Sequence, residues 1–156
     1  MSKYVGCKIS REDGFTFTQP VMLRSFKDEF DLPEREQRVP ALAGVPLTKA
    51  KDENELCPAE TTYFRKGLGK LLHMTRWSKP EVCSSVRDMA CHMSKVAQEH
   101  VDAMYRCMAN CAAFPERGWN LKPERKWIGK DFEFVLNGRS DWGYASCKAK
   151  RRNVSG

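Results

Sequence analysis

Residues 61–75 read TTYFRKGLGKLLHMT, and this stretch predicts an amphipathic helix. Gly67 and Gly69 weaken such a helix by about 1 kcal/mol each relative to alanine. A glycine inside a helix can also allow the close approach of another backbone. The large apolar residues recur at the spacing of one helical face; they are Phe64, Leu68, Leu71 and Leu72.

Two further helices are predicted downstream. Ser78 is a candidate N-cap and Pro80 suits the first turn of the second helix, because a missing N–H costs nothing there. The third helix spans residues 98–113, and Pro115 ends it. The apolar stripe of the second helix is Val82, Val86, Met89 and Met93, and that of the third is Val101, Met104, Met108 and Cys111.

The first 30 residues predict a β-hairpin followed by a helix. Tyr4–Ile9 and Phe15–Thr18 have strand patterns, and the Asp13-Gly14 pair between them is a strong hairpin signal. Thr18 can cap a helix over residues 19–30. The apolar residues of that helix return at helical spacing; they are Leu23, Phe26 and Phe30.

Residues 31–60 differ from both neighbouring regions. Their apolar residues show no sustained period, and several prolines interrupt them. We interpret this region as an extended linker that is partly ordered at best. The prolines are Pro33, Pro40, Pro46 and Pro58.

Residues 119–156 predict short antiparallel strands, with an Asn137-Gly138 hairpin signal between the last two. The predicted fold class is therefore α+β and mainly helical: hairpin, helix, linker, a three-helix region over 61–118, then strands. An uncovered hairpin is only marginally stable, so we expect the chain to be cut off at Gly156 within a larger protein. The predicted strands are Trp119–Leu121, Asp131–Leu136 and Ser140–Cys147.

The charge balance is basic. Lys and Arg number 27 against 20 Asp and Glu, so the formal net charge is +7. Such a balance favours polyanionic partners, because each neutralised phosphate releases counterions, although a basic surface can also serve solubility alone. With no apolar run of about 18 residues and no signal peptide, we expect an intracellular protein without a membrane partner. Its seven cysteines are then expected to be reduced and buried.

No familiar catalytic constellation stands out in the chain. It holds no nucleophile elbow, Walker loop or dinucleotide fingerprint, so we expect no small-molecule substrate. Cys107 and Cys111 come nearest to a zinc-ligand spacing, but both fall on the predicted apolar face of the third helix. A small helical binding module with structural zinc stays open as an alternative, and two small buried cysteines are the interpretation we prefer.

Asp141 is the best-placed carboxylate. It follows the Asn137-Gly138 turn at the start of a predicted strand, and strand-borne aspartates commonly bind Mg²⁺ in phosphoryl-transfer sites. Such sites need several carboxylates, and no Asp or Glu follows Asp141 in the chain. A solvated turn aspartate is the alternative interpretation.

The order of several segments carries more information than any single motif. Residues 63–74 (YFRKGLGKLLHM) are followed by 79–82 (KPEV), 100–108 (HVDAMYRCM), 118–121 (GWNL) and 140–156 (SDWGYASCKAKRRNVSG). In this order they resemble segments of copia-type LTR-retrotransposon Pol polyproteins: Y-R-x-x-V-G-x-L-L-Y-L, R-P-D-I, H-W-x-A-x-x-R-I-x-R-Y-L, a G-L strand start and S-D-A-D-W-A-G-C-K-x-x-R-R-S-T-S-G.

The N-terminal half is similar to the same family. Residues 4–9 (YVGCKI) and the turn after them resemble its F-L-G-I-x-I hairpin, and residues 45–47 (VPL) resemble its T-P-L linker motif. The resemblance implies the end of a reverse transcriptase palm and thumb over 1–30, a linker over 31–60, a helical connection over 61–118 and an incomplete RNase H-like sheet over 119–156.

The resemblance also implies a function. Asp141 matches the family's first RNase H aspartate, a Mg²⁺ ligand in the parent enzyme, whereas Gly143 replaces the second. No Y-x-D-D palm motif occurs, so we expect a chain that by itself neither polymerises DNA nor cleaves RNA and holds no cofactor. The expected contribution is weak, sequence-independent holding of an RNA–DNA or DNA duplex by its backbone. The residues predicted to contact it are Arg65, Lys66, Lys70 and Arg76, each of which could alternatively just solvate the helix.

Overall fold

A computed structural model describes residues 2–4, 6–11, 14–30, 32 and 37–122 of the chain. The predicted strands Asp131–Leu136 and Ser140–Cys147 and the candidate ligand Asp141 lie outside these residues. Within them the α+β, mainly helical class is confirmed. The helices are α1 Pro20–Glu29, α2 Pro58–Trp77, α3 Cys83–Ala90 and α4 Gln98–Ala113; the strands are β1 Ser2–Tyr4, β2 Cys7–Ser10, β3 Phe15–Thr18 and β4 Trp119–Leu121.

Helix α2 is longer than the predicted 61–75 at both ends. It begins at Pro58, where a proline fits the first turn, and the backbone N–H of Cys57 donates to Glu60 Oε2 at 3.1 Å. It ends at Trp77, and the N–H of Ser78 donates to Met74 O at 2.9 Å. Ser78 therefore caps the end of α2 rather than the start of α3, and a single 3₁₀ turn, Pro80–Val82, leads into α3.

The buried core lies between α1, α2, α3 and α4, and most of the predicted apolar stripes point into it. Two stripe residues do not: Leu72 is 43% exposed and Met93 is 37% exposed. Leu72 projects about 100° from Leu71 around the helix, beyond the contact with neighbouring helices. Met93 lies after α3 has ended at Ala90, so the helical phase that placed it on the stripe is lost.

The N-terminal sheet departs from the predicted single hairpin. Tyr4–Ile9 is not one strand, because Gly6 adopts a φ of +75°, which glycine tolerates best, and the chain turns there. β1 and β2 pair antiparallel, with Tyr4 opposite Cys7. β2 and β3 form the predicted hairpin, with Ser10 opposite Thr16, and Gly14 in their loop has a φ of +89°.

Strand β4 closes the sheet in the order β1-β2-β3-β4. It forms at the predicted position, but it pairs antiparallel with β3, placing Phe17 opposite Trp119. The sequence interpretation grouped it with residues 119–156. In the structure it joins residues about a hundred positions earlier, and the hairpin prediction had no means of detecting that pairing.

The linker region packs on the helices more closely than predicted. Between residues 37 and 57 its one element is a 3₁₀ turn, Asp52–Asn54. Gln37 accepts hydrogen bonds from Arg106 Nη1 at its side chain and from Asn110 Nδ2 at its backbone oxygen, both at 2.7 Å. The N–H of Leu56 donates to Val96 O at 2.8 Å. These contacts hold an otherwise irregular segment against α4 and the turn before it.

Candidate nucleic-acid interface

The four predicted duplex-contacting residues all lie on α2, but they do not form one surface. At about 3.6 residues per turn, Arg65 and Arg76 project within about 20° of each other and about three turns apart. Lys66 and Lys70 project roughly 80–140° away from the two arginines. The structure therefore brings the two lysines together and places the two arginines on a different side of the helix.

Arg65 is engaged by the protein itself. Its Nε and Nη2 atoms donate to Met93 O at 3.2 and 2.8 Å. Met93 belongs to the turn that follows α3, whose backbone needs hydrogen-bond partners once the helix has ended. These hydrogen bonds link the turn to α2. Arg65 therefore has a structural role that the sequence pattern did not reveal.

Lys66 and Lys70 share a carboxylate from α1. Glu29 Oε2 lies 2.6 Å from Lys66 Nζ, and Glu29 Oε1 accepts a hydrogen bond from Lys70. Hydrogen bonds from Lys66 and Lys70 lower the pKa of Glu29 from 4.5 to about 2. No acidic residue occurs between residues 61 and 80. The positive surface of α2 is nevertheless interrupted, because Glu29 of α1 places its carboxylate against two of the basic residues.

Both ammonium groups also lie near an aromatic ring. The Nζ atoms of Lys66 and Lys70 are 5.8 and 5.7 Å from the centroid of the Phe30 ring, and Lys70 donates to Ser25 Oγ at 2.9 Å. The side chain of Lys66 is 53% exposed, whereas that of Lys70 is 19% exposed. Lys66 is consequently the more accessible of the two to a phosphate in solution.

Arg76 lies in the last turn of α2, where a cation interacts favourably with the helix dipole. Its side chain is exposed, and Cζ lies 6.0 Å from the centroid of the Trp77 ring. Of the four predicted residues, Arg76 and Lys66 present the most accessible positive charge along α2.

In the part of the chain that the structure describes, no group of three or more Cys, His, Asp or Glu side chains is arranged to hold a metal ion such as zinc. Cys107 and Cys111 are both buried on α4, as expected. Cys57, Cys83 and Cys91 are exposed, so the expectation of buried cysteines is wrong for these three. The hydrogen bond with Cys111, together with burial, raises the pKa of the Cys107 thiol.

A pair of stacked histidines, one half-buried and one fully buried, lies beside the turn that Arg65 contacts, and their contact was not predicted. The His92 and His100 rings are 5.0 Å apart, and His100 is fully buried. His100 Nδ1 accepts a hydrogen bond from the Ala97 N–H at 2.8 Å, so its Nε2 carries the proton in the neutral ring. Burial, followed by the neighbouring His100, lowers the pKa of His92.

A buried lysine was also missed. Lys79 is 1% exposed, and its ammonium donates to the backbone oxygen of Phe114, the C-cap residue that follows α4. Glu81 Oε1 lies 3.8 Å from Lys79 Nζ, and burial lowers the pKa of the lysine. The sequence contains a basic residue before a proline here, and nothing local indicates that its side chain turns inward.

Among the described residues, the helices are all too short or too polar to cross a membrane. No family model matches this chain, and no curated protein or solved structure is significantly similar to it.

Proposed function

We propose that this chain is a segment of a copia-type LTR-retrotransposon Pol polyprotein, in which it helps to hold an RNA–DNA duplex by its backbone without taking part in catalysis. The observation that carries the proposal is the co-linear order of the resembling segments from residue 4 to residue 156. Each segment alone is only moderately specific, and their common order is the stronger argument.

The positions of these segments on the helices support the proposal. The Y-R-x-x-V-G-like segment, 63–74, lies within α2, and the H-W-x-A-like segment, 100–108, lies within α4. α2 presents exposed Lys66 and Arg76, and a helix with accessible cations suits contact with phosphates regardless of base sequence.

Magnesium belongs to the parent enzyme in this proposal. A Mg²⁺ site in a nuclease of this kind combines several carboxylates, and Asp141 has no further Asp or Glu between it and residue 156. The donor set within these residues therefore does not suit the metal, and we assign no reaction step to Asp141.

The proposal predicts weak, salt-sensitive binding of RNA–DNA hybrid. In fluorescence anisotropy with hybrids of random sequence, affinity should fall as salt rises, because phosphate contacts release counterions. Removing Lys66 and Arg76 together, as Lys66→Ala with Arg76→Ala, should reduce the slope of log affinity against log salt by about one per residue.

Lys49→Ala with Lys51→Ala is the matched control, since it also removes two exposed positive charges, but from the linker rather than from α2. Binding that is independent of salt, or that prefers one base sequence, would contradict the proposal. So would robust Mg²⁺-dependent cleavage of the hybrid by the purified chain.

A further inference from the structure

The carboxylate of Glu29 lies between the ammonium groups of Lys66 and Lys70. Each of its two oxygens contacts a different ammonium group: Oε2 contacts Lys66 and Oε1 contacts Lys70. A phosphate bridging two lysines uses the same arrangement, with one anionic oxygen to each donor. The three charges sum to +1, so only part of the positive charge of the two lysines is available to an outside anion.

The site is accessible enough for an exchange of anions. The side chain of Glu29 is 35% exposed and that of Lys66 is 53% exposed. Glu29 is the last residue of α1, so its side chain can turn into solvent without disturbing a following helical turn. The lysines would stay in place, because both lie over the Phe30 ring and Lys70 also donates to Ser25.

We propose that Glu29 is a built-in competitor of the nucleic-acid backbone, and that a phosphate binds the Lys66–Lys70 pair only by displacing the Glu29 carboxylate. This inference rests on the proposed function, because it concerns the regulation of the same basic surface. It makes the intrinsic affinity of the chain low, since every phosphate contact at this pair must first overcome an intramolecular ion pair.

The test compares hybrid binding by the full 156-residue chain and its Glu29→Gln variant. The amide keeps the shape of the side chain and removes its charge. We expect Glu29→Gln to bind random-sequence RNA–DNA hybrid about three- to tenfold more tightly at low salt, with a salt slope steeper by about one.

Asp28→Asn is the matched control. Asp28 is exposed, precedes Glu29 on α1 and carries the same charge, so both variants change the net charge equally. We expect Asp28→Asn to change affinity by less than about twofold, because screened charges without direct contact contribute little. The gain from Glu29→Gln should disappear when Lys66 and Lys70 are both changed to alanine.

Equal gains from Glu29→Gln and Asp28→Asn would overturn the inference, and so would a gain that survives the loss of both lysines. If the wild-type chain binds and Glu29→Gln binds no better, only this inference fails. If neither binds hybrid at low salt, the proposed function itself fails. Should Glu29→Gln prove unfolded, Glu29→Asp draws the carboxylate back from the lysines, and a smaller gain is expected; weaker binding would overturn the inference.

Discussion

At the scale of single residues, the imidazole of His100 is buried with only one of its two nitrogen atoms hydrogen-bonded among the described residues. It is fully buried, its Nδ1 atom is used by the Ala97 N–H, and its Nε2 atom has no hydrogen-bond partner in the described part of the chain. Glu99 Oε1 lies 3.9 Å away, which is too long for a hydrogen bond. The His92 ring lies 5.0 Å from it and is itself half-buried, so a proton added to His92 would introduce an incompletely solvated charge beside a second imidazole.

The lowered pKa of His92 predicts a loss of stability in mild acid. The pKa of folded His92 lies below its ordinary value of 6.5, so the unfolded chain binds more protons between the two values. The free energy of unfolding should therefore decrease as pH falls below about 6.5, until the folded pKa is reached. Asp88 and Glu99, the acidic groups facing His92, oppose this trend without reversing it.

Urea unfolding between about pH 7.5 and pH 5.5 measures this effect. His92→Gln should flatten the decrease, and His73→Gln is the control for the loss of one histidine elsewhere, on α2. A decrease of the same steepness in wild type and His92→Gln would contradict the assignment to His92.

At the scale of elements, Gly67 sets how closely α2 packs on its neighbours. A Cβ at this position would lie 2.3 Å from Met104 Sδ and 2.9 Å from Met108 Cε, both in α4. Gly69, two residues later, has no atom within 4 Å of the same construction. Both glycines weaken α2 as an isolated helix. Gly67 lies in the contact between α2 and α4, where a side chain would clash, whereas a side chain at Gly69 would contact no other residue.

The two glycines predict opposite responses to alanine. Gly69→Ala should stabilise the protein by roughly 0.5–1 kcal/mol, because alanine has the better helix propensity and nothing obstructs its methyl group. Gly67→Ala gains the same propensity, but its methyl group must displace the ends of Met104 and Met108, which are fully buried and have little room to move. We expect this overpacking to cost about 1–3 kcal/mol, so that the net effect is a destabilisation. Chemical unfolding of both variants compares them, and equal shifts of the midpoint would contradict the packing argument.

At the scale of the whole molecule, β4 connects the end of the helical region to the N-terminal sheet. Gly118, just before β4, lies so close to β3 that a Cβ there would be 2.0 Å from Phe17 O. A backbone atom cannot move aside as a flexible side chain can. The absence of a side chain at Gly118 is therefore a condition for the β3–β4 pairing.

Gly118→Ala should consequently separate β4 from β3. We expect a destabilisation of about 1–3 kcal/mol. Hydrogen exchange should accelerate at the amides of β3 and β4, while those at the centres of α2 and α4 keep their protection. Gly69→Ala is the reference for a glycine-to-alanine change without a clash. Unchanged protection in β3 and β4 would contradict this role for Gly118.

Local patterns predicted much of the architecture. The helical spacing of apolar residues located the four helices within a few residues and identified most of the core, because a helix repeats its own face every three or four residues. The Asp13-Gly14 turn likewise located the β2–β3 hairpin. The break at Gly6 was missed, because the residues around it also fit a short strand.

The amino-acid sequence by itself determined the mainly helical α+β class, the positions of the helices and the supply of basic residues on α2. Only the tertiary structure decided what those basic residues contact. Arg65 donates hydrogen bonds to the turn after α3, Lys66 and Lys70 form ion pairs with Glu29, and Arg76 is exposed. The tertiary structure likewise decided that β4 pairs with β3. The reason is that periodicity reflects contacts within a few residues, whereas a lysine on one helix meets a carboxylate some forty positions away only after the helices have packed.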